Sequence, residues 1–275
     1  MISNDTVLVD FGPMTMTIFA QKDGNPLIDM AFASGKKAIT ILDQLAKNKE
    51  IIKKLSKDLE ESEEYGDVIN RMIIAAQRVD KDELTPLAAV AGAVADEVAD
   101  FLVDSGAEKI IVNNGGDIAL RLKPKEKVVV GVMSPKRDIS YKLTILGNMG
   151  IGGVCTSGYT GRSFSLGIAD LCVAIAKNAS LADAAATIIG NETNIDSPHI
   201  KRERAEMIYP DTDIPAKYVT RDVGDLTEKE KREAIKRGLK KAYELISKGI
   251  IIGSLISVKD ITEYTPFVED LITQG

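Results

Sequence analysis

Asp183 and Thr187 are the side chains of this sequence best suited to hold a metal ion. They stand four residues apart in the Ala-rich segment SLADAAATIIG, and positions i and i+4 share one face of a helix. A carboxylate and a hydroxyl there supply part of the shell of hard oxygens that Mg²⁺ prefers, which water and ligand phosphates complete. The alternative is structural, with Asp183 capping the helix and Thr187 bonded back to the backbone.

A second candidate is the Asn-Asn-Gly-Gly-Asp turn at 113–117, which ends a β-branched run typical of a buried strand. Its two glycines permit positive φ and close approach of the backbone to a ligand. The turn is therefore expected to contact a ligand through open backbone amides and through Asp117. The same residues also favour a tight hairpin between strands at 109–113 and 117–122.

A third candidate is the glycine-dense segment GIGGVCTSGYTG at 150–161. Close backbone approach and the small hydroxyls of Thr156, Ser157 and Thr160 suit a phosphate or pyrophosphate. The segment is neither a P-loop, because no Gly-Lys-Ser/Thr follows, nor the dinucleotide-binding fingerprint of a βαβ unit. The alternative is a flexible surface loop.

The cysteines and the single histidine carry weaker signals. Cys155 and Cys172 match no zinc pattern and are expected to be buried and reduced. The alternative is that Cys155 is reactive, because the backbone amides of its Gly-rich turn would lower the pKa of the thiol. His199 lies in a polar segment and is expected to be solvated.

The elements that must position these residues begin with two short strands within 5–20, broken at Gly12-Pro13. Helices are predicted at about 27–63 and 66–79, and a stronger one begins with Thr85 as N-cap and Pro86 at N1 and stops at Gly106. Further strands are predicted at 109–113, 117–122, 127–133, 141–146 and 169–176.

Ser180 is predicted to open a second Ala-rich helix, with capping-box-like spacing to Asp183, and Gly190 to close it. Residues 191–225 are read as irregular; a helix is expected at 226–249 and strands at 250–252 and 255–258. Since no linker divides the chain, we expect one α+β domain over 1–275, with 193–275 as a C-terminal extension packed on it.

The bulk composition narrows the class of protein. The chain has 275 residues, of which 44% are hydrophobic, and a net charge of −6, which argues against a general nucleic-acid binder. The N-terminus lacks a signal-peptide pattern, and no apolar run is long enough to span a membrane. These features favour a cytoplasmic protein.

Taken in chain order, these segments resemble the ApbE family of FAD:protein FMN transferases. In that family an Ala/Gly-rich helix leads to a strand that ends in a Gly-Gly-Asp or Gly-Gly-Glu turn, as in AAVAGAVADEVADFLVDSGAEKIIVNNGGDI here. The family's later motifs resemble VVVGVMSPK at 128–136, Thr156-Ser157-Gly158, and Ala182-Asp183-Ala184 through Thr187. The N-terminal PMTMTI resembles the family's first strand. The resemblance covers about 5–20 and 83–192 and is closest to a cytoplasmic branch of unknown function.

The resemblance implies a T-fold-like architecture in which a mixed sheet packs with Ala-rich helices. It implies FAD or FMN as ligand, bound with Mg²⁺, and either cleavage of FAD to FMN and AMP or transfer of FMN. Asp183 and Thr187 would hold the metal. The nucleotide pocket would be lined by Asn114, Gly115, Gly116, Asp117, Thr156, Ser157 and Gly158. Ala-rich helix faces and exposed apolar surface suggest a homodimer.

Two alternatives remain open. The first is a non-catalytic protein that binds a flavin or nucleotide, because RSFSLGIAD follows Thr156-Ser157-Gly158 where the family has a His and an Asp-Pro-Arg-Thr-Gly segment, and Ala91-Gly92 replaces a Lys-Gly. The second is a thiol or sulfur-transfer role that uses Cys155.

Overall fold

The computed structural model describes residues 5–133 and 139–274. Short 3₁₀ turns cover Ser56–Asp58, Glu63–Tyr65 and Pro86–Ala89. The helices are α1 (Ile28–Lys47), α2 (Lys49–Ile52), α3 (Asp67–Asp80), α4 (Val90–Asp104), α5 (Ala179–Glu192), α6 (Ala205–Ile208), α7 (Glu228–Ser247) and α8 (Pro266–Glu269). The strands are β1 (Thr6–Phe11), β2 (Met14–Lys22), β3 (Asn25–Pro26), β4 (Lys109–Asn114), β5 (Asp117–Leu122), β6 (Lys127–Met133), β7 (Ile139–Leu146), β8 (Gly153–Ser157), β9 (Leu171–Ala176), β10 (Ile200–Arg204), β11 (Tyr218–Val223), β12 (Gly253–Val258), β13 (Ile261–Tyr264) and β14 (Ile272–Gln274).

A nine-stranded sheet forms the centre of the molecule, in the order β1-β2-β4-β5-β8-β9-β12-β13 with β3 paired to β2. A three-stranded sheet has the order β14-β7-β6, and β10 pairs with β11. The predicted α+β class is confirmed. The pairings among the described strands are antiparallel, where a mixed sheet was expected.

The large sheet separates two hydrophobic cores. Helices α1, α3, α4, α5 and α7 enclose the first core against one face, and the three-stranded sheet encloses the second against the other. Strand β9 shows why the sequence LCVAIA is apolar throughout. Cys172, Ala174 and Ala176 belong to the helical core, whereas Val173 and Ile175 belong to the core beneath the small sheet. A strand covered on both faces has no polar side.

Most predicted elements are confirmed, and the differences are local. The helix expected over 27–63 ends at Lys47 and is followed by the one-turn helix α2 and by short 3₁₀ turns. The polar segment 191–225 contains β10, α6 and β11, and residues 250–252 precede β12. Ser134 to Lys136, part of the motif at 128–136, lie outside the described residues. None of the helices in the described ranges is both long and apolar enough to cross a membrane.

The start of α5 also differs from the prediction. Asn178 is the N-cap, since its side chain accepts a 2.9 Å hydrogen bond from the Leu181 N–H. Asp183 faces α4, and Gly190 lies within α5, which continues to Glu192. Thr85 makes no capping hydrogen bond with its own helix; its hydroxyl donates to Asp213.

Helices α4 and α5 approach unusually closely at Gly92. A Cβ placed there would lie 2.3 Å from the Ala179 carbonyl oxygen and 2.9 Å from the Asp183 Cβ. Gly153 on β8 allows a similarly close approach to the start of α5, since a Cβ there would lie 2.3 Å from the Asn178 carbonyl oxygen. The first turn of α5 is therefore wedged between α4 and β8 because both neighbours present glycine.

A fully buried carboxylate, Asp96 on α4, holds the start of α5 in place. It accepts hydrogen bonds from the backbone N–H groups of Ala179, at 3.0 Å, and Ser180, at 2.8 Å. Arg121 on β5 balances its charge with a 2.9 Å contact. A carboxylate at a helix N-terminus satisfies free N–H groups and interacts favourably with the helix dipole. The polar bonds of Asp96 thus join α4, α5 and β5.

Candidate functional site

One cavity of about 1230 Å³ gathers nearly all of the predicted site residues. Its wall combines the β1–β2 turn, the start of α4, the β4–β5 turn, the segment after β8, one face of α5, and residues 208–217. The predicted residues in the lining are Asn114, Gly115, Asp117, Thr156, Ser157, Gly158, Asp183 and Thr187. Gly116 lies just behind them, with its carbonyl oxygen 3.5 Å from the Thr156 hydroxyl.

The Gly115-Gly116 turn is both a tight hairpin and part of the cavity wall. Asn114 pairs with Asp117 across it, and the φ angles of 69° at Gly115 and 113° at Gly116 explain the two glycines. The Gly116 N–H donates a 2.9 Å hydrogen bond to the Asn113 side chain. That amide is therefore engaged within the turn, although the sequence suggested that it would be open to a ligand.

Asp117 is a half-buried carboxylate whose position depends on β8. Its Oδ1 accepts a 3.1 Å hydrogen bond from the Thr156 N–H. Burial raises its pKa to about 6, against the opposing effects of that hydrogen bond and of the Arg162 charge. A carboxylate with a raised pKa in a cavity is a mark of functional sites, and a bound cation would favour its ionised form.

The Thr156-Ser157-Gly158 segment ends β8 and belongs to the cavity wall, whereas the exposed turn begins after it, at Thr160. Gly158 is buried, and a Cβ there would lie 2.5 Å from the Asp170 carbonyl oxygen. The Thr160 hydroxyl donates to the same oxygen over 2.9 Å. Within the described chain, the Ser157 hydroxyl has no hydrogen-bond partner, so of the expected hydroxyl donors it is the one left free for a ligand.

Asp183 and Thr187 face the cavity from successive turns of α5. Asp183 is buried, and its Oδ2 accepts a 2.9 Å hydrogen bond from the Gly92 N–H. The Thr187 hydroxyl lies 3.5 Å from the Ala88 carbonyl oxygen. The Asp183 carboxylate, the Thr187 hydroxyl and Ala88 thus all belong to the wall of the same cavity. Asp183 does not cap its own helix, since it accepts from the first turn of α4, and the Thr187 hydroxyl meets a backbone carbonyl of another segment rather than one of α5.

The charge of Asp183 has little compensation. Burial and the nearby Asp117 carboxylate raise its pKa well above the ordinary range, although hydrogen bonds from the Gly92 and Ala91 backbone oppose this. No basic side chain of the described residues forms an ion pair with it. The same part of the chain holds no cluster of three or more His, Cys, Asp or Glu side chains fit for a metal. A single carboxylate with neutral oxygens fills only part of the shell of a hard cation such as Mg²⁺, and ligand and water would have to complete it.

Several lining residues escaped the sequence analysis. Arg162 lies over the β4–β5 turn, where a Cβ added to Gly115 would be 1.7 Å from its Nη2. The contribution of Ala88 is a backbone carbonyl, which every residue type carries, so the sequence could not single it out. Residues 208–217 reach the cavity because polar contacts tie them to the body of the protein: Asp213 with Thr85, Asp211 with Lys49 and Lys53, and Lys217 with Glu83 at 3.0 Å.

The reactive-thiol interpretation of Cys155 is wrong on both of its physical premises. The side chain is fully buried, and its Sγ donates to the Ala179 carbonyl oxygen over 3.2 Å. Burial, together with Asp117, Asp183 and Asp96, raises the thiol pKa well above its usual range, so the thiolate is disfavoured. Cys172 is also buried, which agrees with the expectation for both thiols, and His199 is exposed and outside the cavity lining.

Comparison with known proteins agrees with this architecture. The solved ApbE protein of Thermotoga maritima aligns with a TM-score of 0.55 over 97% of this chain and 98% of its own, at 14% identity, which shows a similar fold. A UPF0280 protein of Methanosarcina barkeri is 40% identical over 135 residues, 48% of this chain and 51% of that protein. A UPF0280 protein of Methanococcus aeolicus is 42% identical over 111 residues, 38% and 44% of the two chains.

The aligned part of the chain thus spans about half the length of these relatives. A family model described as "AbpE bacteria" matches residues 1–264, nearly the full sequence. The resemblance drawn from the motifs is confirmed by this match and by the shared fold. The chain belongs to the AbpE bacteria family.

Proposed function

We propose that the protein binds a flavin nucleotide in the cavity and, with Mg²⁺, cleaves FAD to FMN and AMP or transfers the FMN group. One observation carries the proposal: Gly115 and Asp117 of the Gly-Gly-Asp turn line a single cavity together with the Thr-Ser-Gly segment and the Asp183–Thr187 pair. Family membership and the motif resemblance add support, since the family resembled is that of the FAD:protein FMN transferases.

The size and surface of the cavity suit such a ligand. At about 1230 Å³ it exceeds the roughly 300–1,000 Å³ of usual small-molecule sites, as a dinucleotide requires. Leu87, Val90, Val94, Met14 and Phe164 provide apolar surface on which an aromatic ring system can rest. The polar groups of α5 and of the β4–β5 turn lie in the same cavity, so one ligand can contact both.

Asp183, Thr187 and the Ala88 carbonyl are the groups that would hold Mg²⁺. They fit because Asp183 is a buried carboxylate without an ion-pair partner and because all three atoms are hard oxygens. A bound Mg²⁺ would act as a Lewis acid on phosphate oxygens. The role of the chain is to hold these oxygens rigidly: Gly92 fixes the Asp183 carboxylate, and Asp96 fixes the helix that carries it.

The test is incubation of the purified chain with FAD, with Mg²⁺ or with EDTA, while AMP and FMN are measured chromatographically. Asp183→Asn keeps the shape and an acceptor for the Gly92 N–H but removes the charge. We expect AMP release that requires Mg²⁺ and falls by about a hundredfold or more in Asp183→Asn, because a metal ion contributes several kcal/mol of charge stabilisation. Asp43→Asn, on the exposed side of α1, is the matched control. Release that is the same in EDTA or in Asp183→Asn would refute the metal-dependent reaction.

A second candidate, flavin-nucleotide binding without turnover, is favoured by the chemistry of the wall. The described lining residues include no histidine and no cysteine, so the imidazole and thiol bases that often move protons in transfer reactions are missing from them. The same experiment separates the two candidates. Saturable binding of FAD without AMP or FMN formation would select the binding protein.

A further inference from the structure

The charges of the cavity lining are strongly unbalanced. Its described acidic residues are Glu83, Asp117, Asp170, Asp183, Asp211 and Asp213, whereas its described basic residues are Arg162 and Lys217. Lys217 is already paired with Glu83 at 3.0 Å. An anionic ligand in such a cavity needs positive charge to offset repulsion and the cost of desolvation. Arg162 is the described lining cation that remains for this purpose.

Arg162 is an exposed side chain that lines the cavity without a hydrogen-bond or ion-pair partner among the described residues. Its guanidinium lies over the α-carbon of Gly115, since a Cβ there would be 2.9 Å from Cζ and 1.7 Å from Nη2. Among the described residues no carboxylate forms an ion pair with it, and its N–H groups make no hydrogen bond. It feels Asp117 only through the longer-range attraction between the two charges. The glycine makes room for the cation, which keeps its donors free.

The backbone donors nearby are not equally free. The Gly116 N–H is taken by the Asn113 side chain at 2.9 Å, and the Thr156 N–H by Asp117 at 3.1 Å. The Gly-rich segments therefore shape this corner without offering those amides to an anion. Ser157 supplies a neutral hydroxyl, whereas Arg162 supplies charge and a planar set of donors suited to a phosphate.

We infer that Arg162 binds the phosphate of the ligand and makes the cavity select phosphorylated over unphosphorylated flavins. The inference rests on the proposed flavin-nucleotide function and assigns a residue to its selectivity. A planar guanidinium engages two phosphate oxygens at once, whereas a lysine in the same place acts as a point charge. Arginine at this position is thus expected to bind more tightly than lysine.

The experiment compares FMN with riboflavin, which differ only in the phosphate, by quenching of flavin fluorescence in EDTA and in Mg²⁺. In the unaltered chain we expect FMN to bind at least about tenfold more tightly than riboflavin, as hydrogen bonds to a charged group predict. Arg162→Gln should weaken FMN binding by about that factor and leave riboflavin binding within about twofold. The affinity of Arg162→Lys for FMN should lie between those of the unaltered chain and of Arg162→Gln.

Arg232→Gln is the matched control, because Arg232 is an exposed arginine on α7 that pairs with Glu228 and does not line the cavity. An unchanged preference for FMN in Arg162→Gln would overturn the inference while leaving the proposed function intact. Should the unaltered chain bind neither FMN nor riboflavin and also fail to bind or cleave FAD, the proposed function fails, and inorganic pyrophosphate then becomes the probe. Pyrophosphate binding lost in Arg162→Gln would support an anion site at Arg162, and no pyrophosphate binding, or equal binding by both chains, would overturn it.

Discussion

The Asp183 carboxylate of α5 accepts a 2.9 Å hydrogen bond from the backbone N–H of Gly92 on α4. The bond is possible because Gly92 has no side chain, which lets the two helices approach until a Cβ would meet the Ala179 carbonyl oxygen at 2.3 Å. The position of the proposed metal ligand is thus set by a residue without functional groups of its own.

Gly92→Ala is expected to force the helices apart and to displace Asp183. We expect a loss of about 1–3 kcal/mol in the free energy of unfolding, typical of an overpacked core, measured by urea denaturation. Gly190→Ala in α5 is the matched control, because its Cβ would meet neighbours at the ordinary distances of 3.7–3.9 Å. Equal stability of Gly92→Ala and Gly190→Ala would show that the interface tolerates separation.

Asp96→Ala is expected to destabilise the chain by about 3–5 kcal/mol, because it leaves Arg121 and the Ala179 and Ser180 N–H groups without their buried acceptor. Asp100→Ala tests the specificity of this effect. Asp100 contacts the same Arg121 at 2.8 Å, but its side chain is 38% exposed, so its removal should cost much less. Denaturant midpoints of the two variants would be compared, and similar losses would contradict the special role of Asp96.

Asp96 and Arg162 show which features of the site could not be predicted from the sequence. Asp183 and Thr187 were predicted to share a helix face, because that follows from four-residue spacing alone. The strands β1, β2, β4, β5 and β9 were predicted because their apolar patterns and turn residues are local signals. Asp96 and Arg162 gave no such signal. Their partners are distant along the chain, and nothing local reveals that one is buried while the other overlies Gly115.

The sequence also did not show which polar groups of the turns and helix caps would be engaged in hydrogen bonds. The Gly-Gly turn was predicted to contact a ligand through its amides, but the Asn113 side chain occupies one of them. Asn178 caps α5 in place of the predicted Ser180, since both residue types suit this position and only the chain path decides between them. Residue type predicted that turns and caps would form, and the tertiary structure determined which atoms remained free.

The raised pKa of Asp117 predicts that the free energy of unfolding depends on pH. Burial raises its pKa from 3.8 to about 6, so the folded chain binds this proton more tightly than the unfolded chain. Its contribution to stability is full below about pH 4 and is lost as pH rises through about 6, with a slope of at most about 1.4 kcal/mol per pH unit. Asp117→Asn, which keeps an acceptor for Thr156, should remove this component.

The measurement is urea denaturation of both chains between about pH 4 and pH 8. The stability of Asp117→Asn relative to the unaltered chain should rise across this window, and a constant difference would contradict the raised pKa. Asp43→Asn again provides the control for the loss of one carboxylate, because Asp43 lies exposed on α1.

The two cysteines yield a further prediction. Cys155 and Cys172 are fully buried, and burial raises the pKa of Cys155 well above its usual range and that of Cys172 to about 12. Neither thiol should react with a disulfide reagent in the folded chain, and both should react in urea. Cys155→Ser should leave any flavin-dependent activity in place. Rapid labelling of the native chain at Cys155 would restore the thiol hypothesis.

The walls of the cavity come from parts of the sequence as far apart as Gly12 and Lys217. These parts meet only when the whole chain has folded, so an unfolded chain has no equivalent place for a ligand. Occupancy would therefore shift the folding equilibrium by mass action, with protection that grows with the logarithm of free ligand above its dissociation constant. A bound compound would connect segments that lie some two hundred residues apart in the chain, and its concentration would help to determine how long the molecule survives heat or proteolysis.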